Sequence, residues 1–213
     1  ICEGAAKIDL LKEYCKSNKI QSLGISDTAN LCGALEFSES ISSVGTQPII
    51  GTQINVKYKD YFGLIPLIAK NYIGYKNIIE LSSKSYLEND AMHDPHCNFE
   101  DLIDFRDGII ILSGSINSLS GNLFNKGLLD EATSIYKTLS KNFSDNFFIE
   151  IQRHNDVHEK QFENYNLEQS KILNLPIIAT NEVFYIDKSM HEAHDALMCI
   201  GQKTYVNDGN RNK

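Results

Sequence analysis

The sequence predicts an α/β fold, in which strands and helices alternate along the chain. Six short apolar runs, each bounded by polar or turn residues, have the length of buried strands. Most of them are separated by longer segments with apolar residues at three- and four-residue spacing, which is typical of amphipathic helices. The alternation by itself is compatible with either an α/β barrel or a doubly wound sheet.

The predicted strands are short and rich in β-branched residues, as in the run from Ile109 to Ile111. The strands at 48–56 and 64–69 are only seven residues apart. Because this gap is too short for a helical crossover, we expect the two strands to pair antiparallel. In chain order, the six predicted strands cover 23–27, 48–56, 64–69, 108–113, 147–152 and 176–180.

The predicted helices are recognised by their spacing and by their first residues. Ile8, Leu11 and Cys15 lie on one face of the first helix, and Asn98 can cap a short helix that has acids in its first turn. The predicted helices cover 6–17, 33–43, 77–87, a short segment from 98, 128–144, 157–175 and 190–199. We expect a polar loop at 88–97 and a loose tail from about residue 205.

The length and composition favour one globular domain. A chain of 213 residues is short for two full-sized domains, and no linker is evident, so we predict a single domain over 1–213. With 42% hydrophobic residues, the chain still has no apolar run near the roughly 20 residues that a membrane span requires. We therefore expect no membrane segment and no signal peptide. The five scattered cysteines fit a reducing, cytoplasmic location.

The charge and the cysteines limit the classes of function. A net charge of −8 disfavours autonomous binding to nucleic acid, because phosphate backbones are held by basic surfaces. The five cysteines form no CxxC pair, which argues against a disulfide framework and a cysteine zinc site. Cys32 and Cys199 stand among apolar residues and are predicted to pack in the core.

The polar residues that follow the last strand are the first candidates for a functional site. The segment 176–198 reads as strand, loop and helix, and it places Asn181 and Glu182 just after the strand. In such units the chemistry collects at the carboxyl ends of strands, because side chains converge there.

Several motifs resemble one known family. ATNEVFY at Ala179 and HEAHDAL at His191 are similar to segments of the PHP (polymerase and histidinol phosphatase) domain that opens bacterial DNA polymerase III alpha subunits. Further matches follow in the order of the family and span nearly the whole chain. They are EGAAKIDLL at Glu3, ISDTANLCGALEF at Ile25, PIIGTQINV at Pro48, LIAKNYIGYKNIIELSSKSYL at Leu67, IILSGS at Ile110, NFFIEIQRH at Asn146 and HDALMCIGQKT at His194.

The resemblance implies a distorted seven-fold α/β barrel of the PHP type. In the family a strand with a His-x-His pair precedes the EGAAKI segment, and here that segment begins at Glu3. The six predicted strands and this first strand make seven, so we expect the sequence to begin after the first strand of the domain. The resemblance also implies that active members of the family hold several divalent metals at the strand ends, where the metals activate water for attack on a phosphate ester.

Most positions that match the family's metal ligands carry poor donors in this chain. Thr28, Leu64 and Phe184 stand where the family has imidazoles, Gln53 replaces a glutamate, and Ser115 replaces a cysteine or histidine. The acids at these positions are Glu3, Asp27 and Glu182, the last in place of an aspartate. Because clustered cations need anionic and imidazole ligands, we predict a degenerate pocket with no catalytic residues and no cofactor.

The surviving acids and the remaining histidines have simpler interpretations. Glu3, Asp27 and Glu182 could hold one loosely bound Mg²⁺, although Asp27 could instead cap a turn and Glu182 could accept hydrogen bonds in a metal-free pocket. The pair His191 and His194 beside Asp195 is interpreted as a helix face, and His93, His96 and Cys97 as an adventitious group. Arg153 and His154 are predicted to join a hydrogen-bond network near the pocket.

These observations predict a platform domain. The resemblance implies a replicative DNA polymerase that uses Mg²⁺ outside this segment and reaches DNA through its other parts. The expected partners of this segment are the polymerase core of the same chain and the proofreading exonuclease subunit. The alternative is a metal-dependent phosphoesterase or 3′-5′ exonuclease of the PHP family, and the loss of metal donors favours the platform.

Overall fold

The computed structural model describes residues 4–89 and 94–208 and confirms the α/β fold. Eight helices lie in these ranges, namely α1 (Ile8–Asn18), α2 (Ala34–Ser42), α3 (Tyr72–Leu87), α4 (Phe99–Asp104), α5 (Leu119–Asn125), α6 (Leu129–Phe143), α7 (Glu159–Leu173) and α8 (His191–Gln202). Seven strands are also described, β1 (Ser22–Thr28), β2 (Gln47–Tyr58), β3 (Tyr61–Ala69), β4 (Cys97–Asn98), β5 (Ile109–Leu112), β6 (Phe147–Ile151) and β7 (Ile177–Ala179). Two single 3₁₀ turns cover Ser144–Asn146 and Lys188–Met190.

The strands form one mixed sheet in the order β1-β2-β3-β5-β6-β7, with β4 beside β2. β2 and β3 pair antiparallel through a turn at Lys59 and Asp60, as the sequence predicts. β3 is also antiparallel to β5, whereas β5, β6 and β7 are parallel to one another. The carboxyl ends of β5, β6 and β7 therefore meet at one edge of the sheet.

Three elements differ most from the sequence prediction. β4 and α5 were not expected, because a two-residue strand and a seven-residue helix are too short to show a periodic pattern. α3 begins five residues earlier than predicted because Asn71 caps it, with its side-chain oxygen accepting a hydrogen bond from the Gly74 N–H at 3.0 Å.

The contacts divide the chain into two compact units. The small unit comprises Ile1–Leu23, Glu36–Pro48 and Asn181–Lys213, and the large unit comprises Gly24–Leu35 and Ile49–Thr180. The core of the large unit is one apolar cluster in which alternate residues of β2 and β3 meet the buried faces of α3, α5, α6 and α7. Ile54 and Leu67 are fully buried members from the sheet. The single domain over 1–213 stays a prediction.

The four cysteines of the described ranges differ in exposure. Cys15, Cys97 and Cys199 are buried, as predicted for Cys199, but Cys32 is exposed and the prediction for it was wrong. The reason is local, because Cys32 lies in a turn where its N–H donates to the Asn30 side-chain oxygen. Burial raises the pKa of the Cys97 thiol to about 12, and that thiol donates to the Leu81 carbonyl at 3.1 Å.

Thiol labelling should distinguish the exposed cysteine from the buried ones. In a Cys2→Ser background, we expect a maleimide to modify Cys32 rapidly in the folded chain and to reach Cys15, Cys97 and Cys199 only after denaturation. The measurement is the mass increase of intact protein at pH 8, with urea-unfolded protein as the control. Modification of several thiols per folded chain would contradict the burial of these side chains.

Candidate polar pocket

A buried polar network occupies the carboxyl ends of the parallel strands in the large unit. Glu150 lies near the end of β6 and is 4% exposed. One of its carboxylate oxygens accepts hydrogen bonds from the Thr180 hydroxyl and, at 3.1 Å, from the Gln152 amide. The same amide lies 3.0 Å from the Thr180 oxygen, to which it also donates. Three side chains from two neighbouring strand ends are thus tied together, as buried polar groups require.

The network extends from the strands into the helices behind them. The Glu150 N–H donates to the Ser113 hydroxyl at 2.9 Å, and the Asn166 amide on α7 donates to the Glu150 carbonyl at 3.4 Å. The Tyr136 hydroxyl on α6 donates to the Asn166 side-chain oxygen at 2.7 Å. Burial raises the pKa of the Tyr136 phenol well above its usual range, so this group is a neutral hydrogen-bond donor.

A small pocket opens beside this network. Its lining residues are Ser115, Ile116, Glu150, Ile151, Gln152, Glu159, Phe162, Glu163 and Asn166. The space between them that the centre of a water molecule can occupy is about 10 Å³, which is enough for roughly one water molecule.

One salt bridge and two backbone hydrogen bonds hold the loop after β6 next to the pocket. Arg153 forms a two-pronged contact with Glu163, with nitrogen–oxygen distances of 3.0 and 2.7 Å. This hydrogen bonding holds the pKa of the Glu163 carboxyl below its usual range. The Glu159 carboxylate accepts the backbone N–H groups of His154 and Asn155 at 2.6 and 2.9 Å. A hydrogen-bond network was predicted for Arg153 and His154. Arg153 joins it with its side chain, whereas His154 joins it with its backbone N–H.

The predicted pocket residues of the large unit lie on different elements. Asp27 and Thr28 end β1, where the Asp27 carbonyl accepts the Thr52 hydroxyl at 2.7 Å. Gln53 is in the middle of β2, and its carbonyl accepts the Ala29 N–H at 2.7 Å. Ala29 has a positive φ of 57°, a strained value for a residue with a Cβ.

Leu64 and Ser115 are the other two predicted pocket residues of the large unit. Leu64 lies on β3 opposite Asn55, and Ser115 follows β5. The structure brings Ser115 into the lining of the small pocket with Glu150, whereas Asp27, Thr28, Gln53 and Leu64 are not part of that lining.

The remaining predicted pocket residues belong to the small unit. Glu182 is exposed, and the Phe184 ring stacks on His194 at a centroid distance of 5.6 Å. The Phe184 carbonyl accepts the Ala5 N–H. His191 and His194 both contact the Tyr185 ring, which supports their interpretation as an aromatic helix face. Glu3 and His93 lie outside the described residues.

Sequence reasoning did not single out Glu150, Gln152, Thr180 or Asn166. One signal was available, because Glu150 is an acid inside the apolar run of β6 and a charge in a buried strand needs partners. Its partners Thr180 and Asn166 are 30 and 16 residues away, so they could be identified only from the tertiary structure.

The donor set does not fit a metal cluster. Across residues 4–89 and 94–208, no group of three or more His, Cys, Asp or Glu side chains is arranged to hold an ion. Amide, hydroxyl and apolar side chains at Gln53, Thr28 and Leu64 are poor substitutes for carboxylate and imidazole ligands. We therefore derive no chemistry through a metal in this chain. Within the described helices, none has the length and hydrophobicity needed to cross a membrane.

The fold and this site define an α/β protein with a polar pocket at the carboxyl ends of its parallel strands. A family model for the PHP domain matches residues 1–154. The chain belongs to the PHP domain family. A solved structure described as a metal-dependent phosphoesterase from Bifidobacterium adolescentis has a TM-score of 0.52 and 11% identity, covering 92% of each chain, which supports the PHP-type fold.

Curated relatives are more similar in sequence. DNA polymerase III subunit alpha of Rickettsia conorii is 37% identical over 199 residues, which are 93% of this chain and 17% of the relative. The subunit of Caulobacter vibrioides is 32% identical over 221 residues, covering 100% of this chain and 19% of the relative. The chain thus spans less than one fifth of the length of these relatives.

Proposed function

We propose that this chain is the PHP domain of a DNA polymerase III alpha subunit and that it acts as a structural platform without hydrolytic activity. The observation that carries the proposal is the match of nearly the whole chain to such subunits, combined with poor donors at Thr28, Gln53, Leu64, Ser115 and Phe184. In this proposal the whole subunit is a DNA-directed DNA polymerase that uses Mg²⁺ outside this segment and works in the cytoplasm.

The platform would bind the polymerase core of the same chain and the proofreading exonuclease subunit. The buried polar network supports this role, because the hydrogen bonds of Glu150 join two neighbouring strand ends. A rigid scaffold of this kind can hold other domains in a fixed geometry. The residual acids Glu3, Asp27 and Glu182 are too few to replace the anionic and imidazole ligands that a metal cluster needs.

Metal content and turnover test the loss of hydrolysis. After incubation with Mn²⁺ or Zn²⁺ and gel filtration, we expect fewer than one ion per chain by elemental mass spectrometry. Hydrolysis of a phosphate monoester and of a single-stranded 3′ end should stay at background, because one ion cannot stabilise the attacking and leaving oxygens together.

The controls separate a surviving site from contamination. Glu182→Ala removes a residual candidate, and Glu192→Gln changes an exposed acid on α8 that is not a candidate ligand. Two or more ions per chain, with activity that Glu182→Ala abolishes and Glu192→Gln preserves, would overturn the proposal in favour of a phosphoesterase or 3′-5′ exonuclease. The platform role has its own test, which does not depend on metal content. If this chain co-purifies with neither the polymerase core nor the exonuclease subunit, the platform role is contradicted.

A further inference from the structure

The β2–β3 hairpin carries a group of basic and aromatic side chains near its turn. Lys57 and Phe62 are cross-strand partners, and the Lys57 ammonium lies 5.8 Å from the centre of the Phe62 ring. The His96 ring meets the Phe62 ring edge-on at a centroid distance of 5.0 Å. Phe62 is nevertheless 42% exposed. Lys57, Phe62 and His96 are called the hairpin cluster.

The hairpin cluster lies on the open face of the hairpin. Because side chains alternate along a strand, Ile54, Val56, Ile65 and Leu67 point into the core and are buried. The opposite face carries the partly exposed pairs Gln53 with Pro66, Asn55 with Leu64, and Lys57 with Phe62. Amide groups, a cation and an exposed ring therefore follow one another along one accessible face.

The cation of the hairpin cluster is not engaged in an ion pair within the described residues. In the described residues, neither Lys57 nor Lys126 has a carboxylate within 4.0 Å, whereas Lys59 is bound to Glu131 at 2.6 Å. Lys126 lies over the Tyr61 ring at 5.3 Å, on the other side of the same turn. The turn itself contains one acid, Asp60.

We propose that the hairpin cluster is a binding site for single-stranded nucleic acid, with a base stacked on Phe62 and the backbone phosphate held by Lys57. Unpaired bases stack on exposed aromatic rings, and cations beside those rings neutralise phosphates. The Nδ1–H of His96 donates to the Asp94 carbonyl at 2.9 Å, which helps to hold the His96 ring edge-on against Phe62. The proposed site does not depend on the platform function, so either can fail without the other.

Fluorescence anisotropy with a labelled oligothymidylate of about 12 nucleotides tests the site on the 213-residue chain. We expect weak binding that falls as salt rises. Phe62→Ala should weaken it about tenfold, and Lys57→Gln should weaken it and lower the salt slope by about one. The matched controls are Tyr86→Ala, an exposed ring on α3, and Lys171→Gln, an exposed cation on α7, and both should bind like the unchanged chain.

Several results would overturn the proposal. They are no measurable binding at low salt, equal effects of Phe62→Ala and Tyr86→Ala, or equal affinity for a duplex of the same length. Competition by polyglutamate as strong as by unlabelled oligonucleotide would assign the site to acidic peptides and also overturn it. An oligouridylate of the same length shows whether the ligand is DNA or RNA. Stronger binding of the oligothymidylate identifies DNA as the preferred ligand, and stronger binding of the oligouridylate identifies RNA.

Discussion

Replacing Gly74 by Ala is expected to lower the free energy of unfolding by about 3 kcal/mol or more. A Cβ atom at this position on α3 would lie 1.8 Å from the Gly108 carbonyl oxygen and 2.4 Å from its carbon. Both are backbone atoms, and the Gly108 carbonyl already accepts the Lys70 N–H at 2.9 Å. The collision can be relieved only by moving α3 away from the turn that starts β5. Urea unfolding followed by circular dichroism measures the loss.

Gly24→Ala is the matched control for this prediction. A Cβ at Gly24 would meet its nearest atom at 3.8 Å, which is an ordinary contact, so the stability should change by less than about 0.5 kcal/mol. Gly108→Ala should be as damaging as Gly74→Ala, because Gly108 has a φ of +73° and its Cβ would lie 2.4 Å from the Asn71 side-chain oxygen. A loss below about 1 kcal/mol for Gly74→Ala would show that α3 does not rest on Gly108.

Replacing Glu150 by Ala should lower the free energy of unfolding by about 2–4 kcal/mol. The change removes a buried side chain and leaves the Thr180 hydroxyl and the Gln152 amide without the acceptor that they share. A buried donor without an acceptor costs about 1–3 kcal/mol, and the vacated volume adds to that loss. The measurement is again urea unfolding at neutral pH.

Two variants make this second prediction specific. Glu150→Gln keeps the shape and one acceptor oxygen, so we expect a smaller loss of about 1 kcal/mol. Glu168→Ala removes an exposed carboxylate from α7 and should change stability by less than about 0.5 kcal/mol. If Glu150→Ala unfolds at the same urea concentration as Glu168→Ala, the network does not contribute to stability.

The parts of the fold that were predictable are those with a strong local pattern. The strand runs, the long helices and the antiparallel hairpin follow from residue periodicity and from the seven-residue gap between 56 and 64. The start of α3 was misplaced because the Asn71 cap is a single-residue signal. β4 exists because Cys97 and Asn98 meet Val56 and Lys57 across the sheet, a pairing with no local pattern.

The candidate site also has features that the sequence could predict and features that depend on tertiary contacts. The prediction of poor metal donors at Thr28, Leu64 and Phe184 needed only the sequence, because donor strength is a property of a single side chain. The environment of Ser115 could not be predicted from the sequence, because Glu150 and Asn166, which line the same pocket, belong to other elements. The exposure of Phe62 beside Lys57 likewise depends on which face of β2 and β3 turns toward the core.

The sequence by itself determined the α/β class and the PHP family, because both follow from residue types and their local spacing. Only the tertiary structure decided that Glu150 is tied to Thr180, that α3 rests on Gly108 and that Cys32 is exposed. The physical reason is that burial and hydrogen-bond partners are set by segments far apart in the chain. Packing brings those segments together, and no local pattern encodes their contacts.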